Sequence, residues 1–158
     1  MDFEALYQEI ILDHTRRPRN FGEMEDADVK IHADNPLCGD DLTVYVKFNE
    51  DGSCERLGFT GSACSICLAS ASMMTVKLKN KSEQESQAIA GEFVKLLTAE
   101  EGLETEPDSK IELGELKALM GVRKFPMRTK CATLAWHAFE QALESKATGA
   151  KEGDLHVE

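Results

Sequence analysis

Among the side chains of this chain, five cysteines offer the most chemistry: Cys38, Cys54, Cys64, Cys67 and Cys131. An odd number of thiols, behind an opening MDFEALYQEI that carries no basic export-type region, points to free thiols, metal ligation or catalysis before disulfides. Three of them stand where the chain is expected to change direction: Cys38 in NPLCGD, Cys64 opening a helix after GSA, and Cys131 after FPMRTK. Oriented N–H groups at a helix N-terminus stabilise negative charge, so Cys64 and Cys131 are both expected to gain thiolate character. Gly39, lacking a side chain, lets the loop fold so that the Cys38 thiolate and the Asp40 carboxylate point at one ion. Cys38, Asp40, Cys64 and Cys131 together form a closed donor set of the kind tetrahedral Zn2+ accepts. Asp40 matters within it, because an oxygen ligand holds a borderline-soft ion less tenaciously than a fourth thiolate and lets ligands exchange. The plain alternative is that each cysteine is a small buried hydrophobe, since the ligands are not arranged in paired Cys-x2-Cys modules.

Around this set the reading differs residue by residue. Arg128 and Lys130 put positive charge beside Cys131, where it lowers thiol pKa values and can pair with Asp40; a solvated helix start is the alternative. Cys67 follows Cys64 on the same helical side, so it either approaches the metal or lies buried in the helix. Cys54 is read as structural, in a strand on the face opposite Leu57 and Phe59. None of His14, His32, His137 and His156 is needed as a ligand; His137 lies too far round its helix to share the face of Cys131.

The elements that must position these groups follow from periodicity. Residues 3–14 place Phe3, Leu6, Tyr7, Ile10 and Ile11 on one helical face, with Asp2 as N-cap and Pro18 beyond the end. The tract Arg16, Arg17, Arg19 then concentrates positive charge, either complementing the helix dipole or offering a docking surface. Leu42, Val44, Val46 and Phe48 alternate with polar residues, and the turn Asn49–Gly52 leads to Leu57 and Phe59, which predicts a β-hairpin; Val29–Ala33 is a third, weaker strand. A helix is expected from Ser65, and another from a Ser82/Glu85 capping box with Ile89, Phe93, Leu96 and Leu97 on one face. Glu100–Lys110 reads as a surface loop, Leu113–Met120 as a short helix stopped by Gly121, and Thr129 to about Ser145 as the last helix. The class is α+β: a small antiparallel three-stranded sheet with helices packed on one face. Residues 1–146 are expected to form a single domain and 147–158 a mobile tail.

Composition narrows the partners. With 18 Lys and Arg against 29 Asp and Glu, the net charge of −11 repels phosphate backbones and anionic membranes, so neither nucleic acid nor a membrane is an expected partner. No apolar run approaches the ~20 residues of a membrane span, and a cytoplasmic location is expected.

The segments NPLCGD, GSACSICLASASMM and FPMRTKCATLAW, with the opening ILDHTRRPRNFG, resemble the signature segments of the IscU-like (NifU N-terminal-like) family over nearly the whole chain. Within that family two features resemble the SufU branch. Lys130, not the His of cluster scaffolds, precedes Cys131, and an extended segment of roughly residues 90–123 separates the second and third motifs. The resemblance implies Zn2+ held by Cys38, Asp40, Cys64 and Cys131, and a SufS-type cysteine desulfurase as partner. It implies that the desulfurase supplies a ligand that displaces Cys38, which then accepts persulfide sulfur as a sulfurtransferase, with downstream cluster assembly proteins as recipients. Cys67 departs from the branch, which usually has Ser there; were it a ligand, the claim of Asp40 would weaken. Two other functions remain open on the same residues: an assembly scaffold holding a nascent 2Fe–2S cluster, and a structural zinc module without sulfur chemistry.

Overall fold

The computed structural model describes residues 3–99 and 110–157, and of Phe3 its backbone alone. The expected loop over residues 100–110 and the Asp2 N-cap therefore fall outside the described residues, apart from Lys110. Helix α1 (Phe3–Arg16) leads into strands β1 (Val29–Asn35), β2 (Asp40–Phe48) and β3 (Cys54–Ser62), then helices α2 (Ser65–Leu78) and α3 (Glu83–Thr98). A 3-10 helix (Gly114–Lys124), helix α4 (Pro126–Thr148) and strand β4 (Glu152–His156) complete the order.

The sheet runs β3-β2-β1-β4, antiparallel between β1, β2 and β3 and parallel between β1 and β4. The expected three antiparallel strands are thus corrected to a four-stranded mixed sheet. The fourth strand comes from the segment read as a mobile tail. Its Glu152–His156 backbone pairs with Lys30–Asp34, and the alternation that betrays a strand is weak there because Glu152, Asp154 and His156 are exposed and only Gly153 and Leu155 are half-buried. Gly149, left-handed at φ 83°, ends α4 and turns the chain back toward the sheet.

Alternation in β1 buries Val29, Ile31 and Ala33, against which α4 packs, while α4 and α2 cover β2 and β3. Small residues on α2, among them Ala69, Ser70 and Ala71, allow close approach, and the fully buried Trp136 of α4 donates its indole N–H to Ser70 Oγ at 3.0 Å. Phe93 of α3 stacks on Trp136 at 4.5 Å between centroids, tying three helices into one core. The α3 cap forms as expected, Glu85 N–H donating to Ser82 Oγ at 3.1 Å.

Three local expectations are corrected. The segment after Leu113 is a 3-10 helix that runs through Gly121 to Lys124. Helix α4 starts at Pro126, the residue type suited to a first helical turn, and not at Thr129. Cys54 is fully buried in the same core as Leu57 and Phe59, because the extra residue Glu55 between the pairs Lys47–Arg56 and Phe48–Cys54 resets the alternation.

Candidate metal centre

The β1–β2 turn, the start of α2 and the second turn of α4 converge at one end of the sheet. The turn is tight: Asn35 O accepts from Cys38 N–H at 3.2 Å and Pro36 O from Gly39 N–H at 3.3 Å, with Gly39 left-handed at φ 71°. No atom crowds the position of a Gly39 Cβ, so the glycine serves the backbone angle and not the space. The turn delivers Cys38, half-buried, and Asp40, 2% exposed as the first residue of β2.

Cys38 Sγ, an Asp40 carboxylate oxygen and Cys131 Sγ lie within 4.8 Å of one another. Both Cys38 Sγ and Cys131 Sγ face Met127 O, each at 3.8 Å, so the first turn of α4 holds the two thiols on one side of the site. Asp40 divides its oxygens between two tasks. Oδ1 accepts from Cys64 N–H at 2.9 Å, while Oδ2 is buried without a hydrogen-bond partner. Leaving a buried carboxylate oxygen unsatisfied is costly, and a cation beside the two thiols would satisfy it. Asn35, fully buried, directs its Nδ2–H toward Cys131 Sγ at 4.0 Å.

Cys64 stands apart from that group of three. It is the N-cap of α2, with no side-chain cap bond of its own, so the expected helix-start position holds. Its thiol is near enough to Cys131 and Arg128 to act on both electrostatically. Cys131, by contrast, lies in the second turn of α4 and loses the helix-start benefit expected for it. Burial pushes its thiol above the ordinary range, and the neighbouring Cys38, Asp40 and Cys64 push the same way. Clustered anionic donors oppose one another's ionisation in this way until a cation enters their midst. Arg128, exposed, is held more firmly in its charged form first by Cys64, then by Cys131 and more weakly by Cys38. The orphan oxygen, the thiols and the borderline-soft character of the set together fit Zn2+ or another thiophilic ion.

The remaining cysteines are differently placed. Cys67 is fully buried, and burial, then the charges of Asp40, Cys64 and Cys38, push its thiol up; burial pushes Cys54 up to about 11. Lys130 is half-buried in the first turns of α4. Asn35 is not marked by residue type alone, and its place just before Pro36, three residues from Cys38, is the only signal the sequence carries for it. His14 is buried between Ser72 Oγ at 2.7 Å and Glu115 Oε2 at 3.3 Å, pinning α1 to α2 and to the 3-10 helix, away from the thiols.

Residues 6–144 match the family described as the NifU-like N terminal domain. The chain is 39% identical over 152 residues to the iron-sulfur cluster assembly scaffold protein IscU of Streptococcus pyogenes serotype M1, covering 96% of this chain and 91% of that one. It is 38% identical over 148 residues to the zinc-dependent sulfurtransferase SufU of Bacillus subtilis (strain 168), covering 94% and 96%. A solved structure from Fervidobacterium islandicum AW-1, described as a candidate iron-sulfur cluster assembly scaffold protein for the SUF system, superposes with TM-score 0.77. It is 29% identical and covers 89% of this chain and 98% of that one.

Proposed function

Because this chain belongs to the NifU-like N-terminal domain family, we propose that it works in iron-sulfur cluster assembly as a zinc-dependent sulfur acceptor for a SufS-type cysteine desulfurase. The observation that carries this reading is the pairing of Cys38, half-exposed on a glycine turn, with the buried Asp40 whose Oδ2 has no partner. Cys38, Asp40, Cys64 and Cys131 are the residues that would hold the ion. Zinc bound there keeps thiols deprotonated at neutral pH while masking them from unwanted partners.

Each side chain has a distinct part. Cys64 at the α2 start and Cys131 within α4 sit on rigid elements, whereas Cys38 can move with its turn. The Cys38 thiolate attacks the outer sulfur of the desulfurase persulfide; a new S–S bond forms to Cys38 Sγ, the S–S bond of the donor breaks, and the donor cysteine leaves as a thiolate. No net electrons are exchanged, and the persulfide proton stays on the transferred sulfur. Arg128, beside Cys64, supplies positive charge toward the anionic donor and steadies the neighbouring thiolates. Proteins of cluster assembly then receive the sulfur.

A cluster scaffold is the second reading, favoured by the equal likeness to the relative named IscU. Lys130 directly before Cys131 speaks for the sulfur acceptor. The test is mass spectrometry of the protein after reaction with a cysteine desulfurase and cysteine. Added sulfur is expected on the Cys38 peptide, and Cys38→Ser is expected to abolish it together with stimulation of sulfide release. Sulfur on Cys131 with Cys38→Ser still active, or visible iron-sulfur absorption in anaerobically purified protein, would favour the scaffold.

A further inference from the structure

A groove of about 670 Å3 lies beside the candidate metal centre, lined by α1, the start of α2, the 3-10 helix and the start of α4. Ser65 and Ile66, directly after Cys64, line it together with Arg128. Its floor is apolar, with Ile11, Ile66, Met120 and Val122 among the lining residues, and its edge carries Phe125, 60% exposed. The apolar character continues across the mouth of the site, where Leu37 is 63% and Met127 59% exposed. Large apolar side chains left in water beside a reactive centre mark a surface that a partner covers.

The charges around the groove say what kind of partner. Several cations on this acidic molecule sit against carboxylates, among them Arg19 with Asp13, Arg56 with Asp26, Lys95 with Glu92 and Lys146 with Glu83. Lys117 and Lys124, both exposed on the groove's rim, form no ion pair among the described residues. With Arg128 they make three cations against the single Glu4 in a chain of net charge −11. We propose that this groove docks an acidic, amphipathic segment of the sulfur-donating desulfurase, its apolar side chains on the floor and its carboxylates toward Lys117 and Lys124. The inference rests on the sulfur-acceptor reading for the identity of the partner. Docking there sets the donor's reactive cysteine beside Cys64 and Arg128, in reach of the Cys38 turn, and the local positive field steers encounter despite the overall charge.

The test is calorimetric binding of the full chain to a SufS-type cysteine desulfurase at low and high salt, with Lys117→Glu/Lys124→Glu and Met120→Glu as variants. Each variant's fold is checked by its thermal unfolding, and Lys117→Gln/Lys124→Gln replaces the double reversal if that protein unfolds early. Both charge-reversed lysines together are expected to weaken binding at low salt by ~10-fold or more, while sulfur still reaches Cys38 at saturating desulfurase. Met120→Glu is expected to weaken binding at either salt, and a photo-crosslinker at position 117 to capture an acidic amphipathic stretch of the donor. Unchanged affinity of the variants, a crosslink to a basic or wholly apolar stretch, or no binding by wild type would overturn the groove proposal. Wild-type binding lost in the groove variants, with no sulfur ever found on Cys38, would instead uphold the groove and overturn the transfer reading.

Discussion

Asp40 has one oxygen engaged in the fold and the other left open to an ion. Oδ1 caps the chain at Cys64 N–H, and Oδ2 is turned into the thiol cluster with nothing else to satisfy it. Asp40→Asn keeps a carbonyl oxygen for the Cys64 amide while removing the negative donor. Zinc affinity should then fall by at least the ~10–100-fold that loss of even an outer-shell partner causes. Competition against a chromophoric chelator measures this, and wild-type affinity in the variant would remove Asp40 from the ligand set. Asn35 acts at the same scale, its amide held toward Cys131 Sγ, and Arg128 balances charge from the exposed side.

Between elements, the join of β4 to β1 is the least expected feature and the one most open to pH. His32 on β1 reaches Asp41 of β2 at 2.9 Å with Nε2 and Asp154 of β4 at 3.3 Å with Nδ1. His156 of β4 reaches Asp34 of β1 at 2.5 Å. The hydrogen bond to Asp41 holds the His32 pKa above its ordinary value; burial opposes it, and Asp154 adds to it. A raised folded-state pKa contributes stability that is fully present below the unfolded-state value and lost as pH rises through the folded-state value. The pairing of β4 should therefore loosen as pH climbs past the ordinary histidine range. Hydrogen exchange of the 152–156 amides, corrected for intrinsic rate, should accelerate across that window more steeply in wild type than in His32→Asn. Equal pH dependence in both proteins would rule the clamp out.

For the whole molecule, the site ties the β1–β2 turn to two helices, so an ion bound there stabilises the fold by mass action. Free zinc at 100 times its Kd adds about 2.7 kcal/mol. For a domain of this size each kcal/mol moves Tm by about 2–4 °C, so chelation should lower Tm by about 5–10 °C. An unchanged calorimetric Tm after complete chelation would show that the cluster carries no ion that matters to the fold. Among the described residues no helix is long and apolar enough to cross a membrane.

Local chemistry was legible in the chain alone wherever a short stretch determines it. Strand alternation found β1 to β3, the Ser82/Glu85 pair found the α3 cap, and the Cys38-Gly39-Asp40 turn marked two donors that face one another because only one glycine separates them. What required the tertiary structure was every relation between distant segments. The approach of Cys131 to Cys38 depends on α4 crossing the end of the sheet, and the orphaned Asp40 oxygen exists because the Cys64 amide has already claimed its twin. The fourth strand escaped notice because an exposed edge strand buries too little to impose a hydrophobic period; partner backbone, not side-chain pattern, decides that Glu152–His156 is extended. The same holds for Cys54, whose inward turn comes from a bulge that pairing with β2 defines and that alternation by itself misplaces.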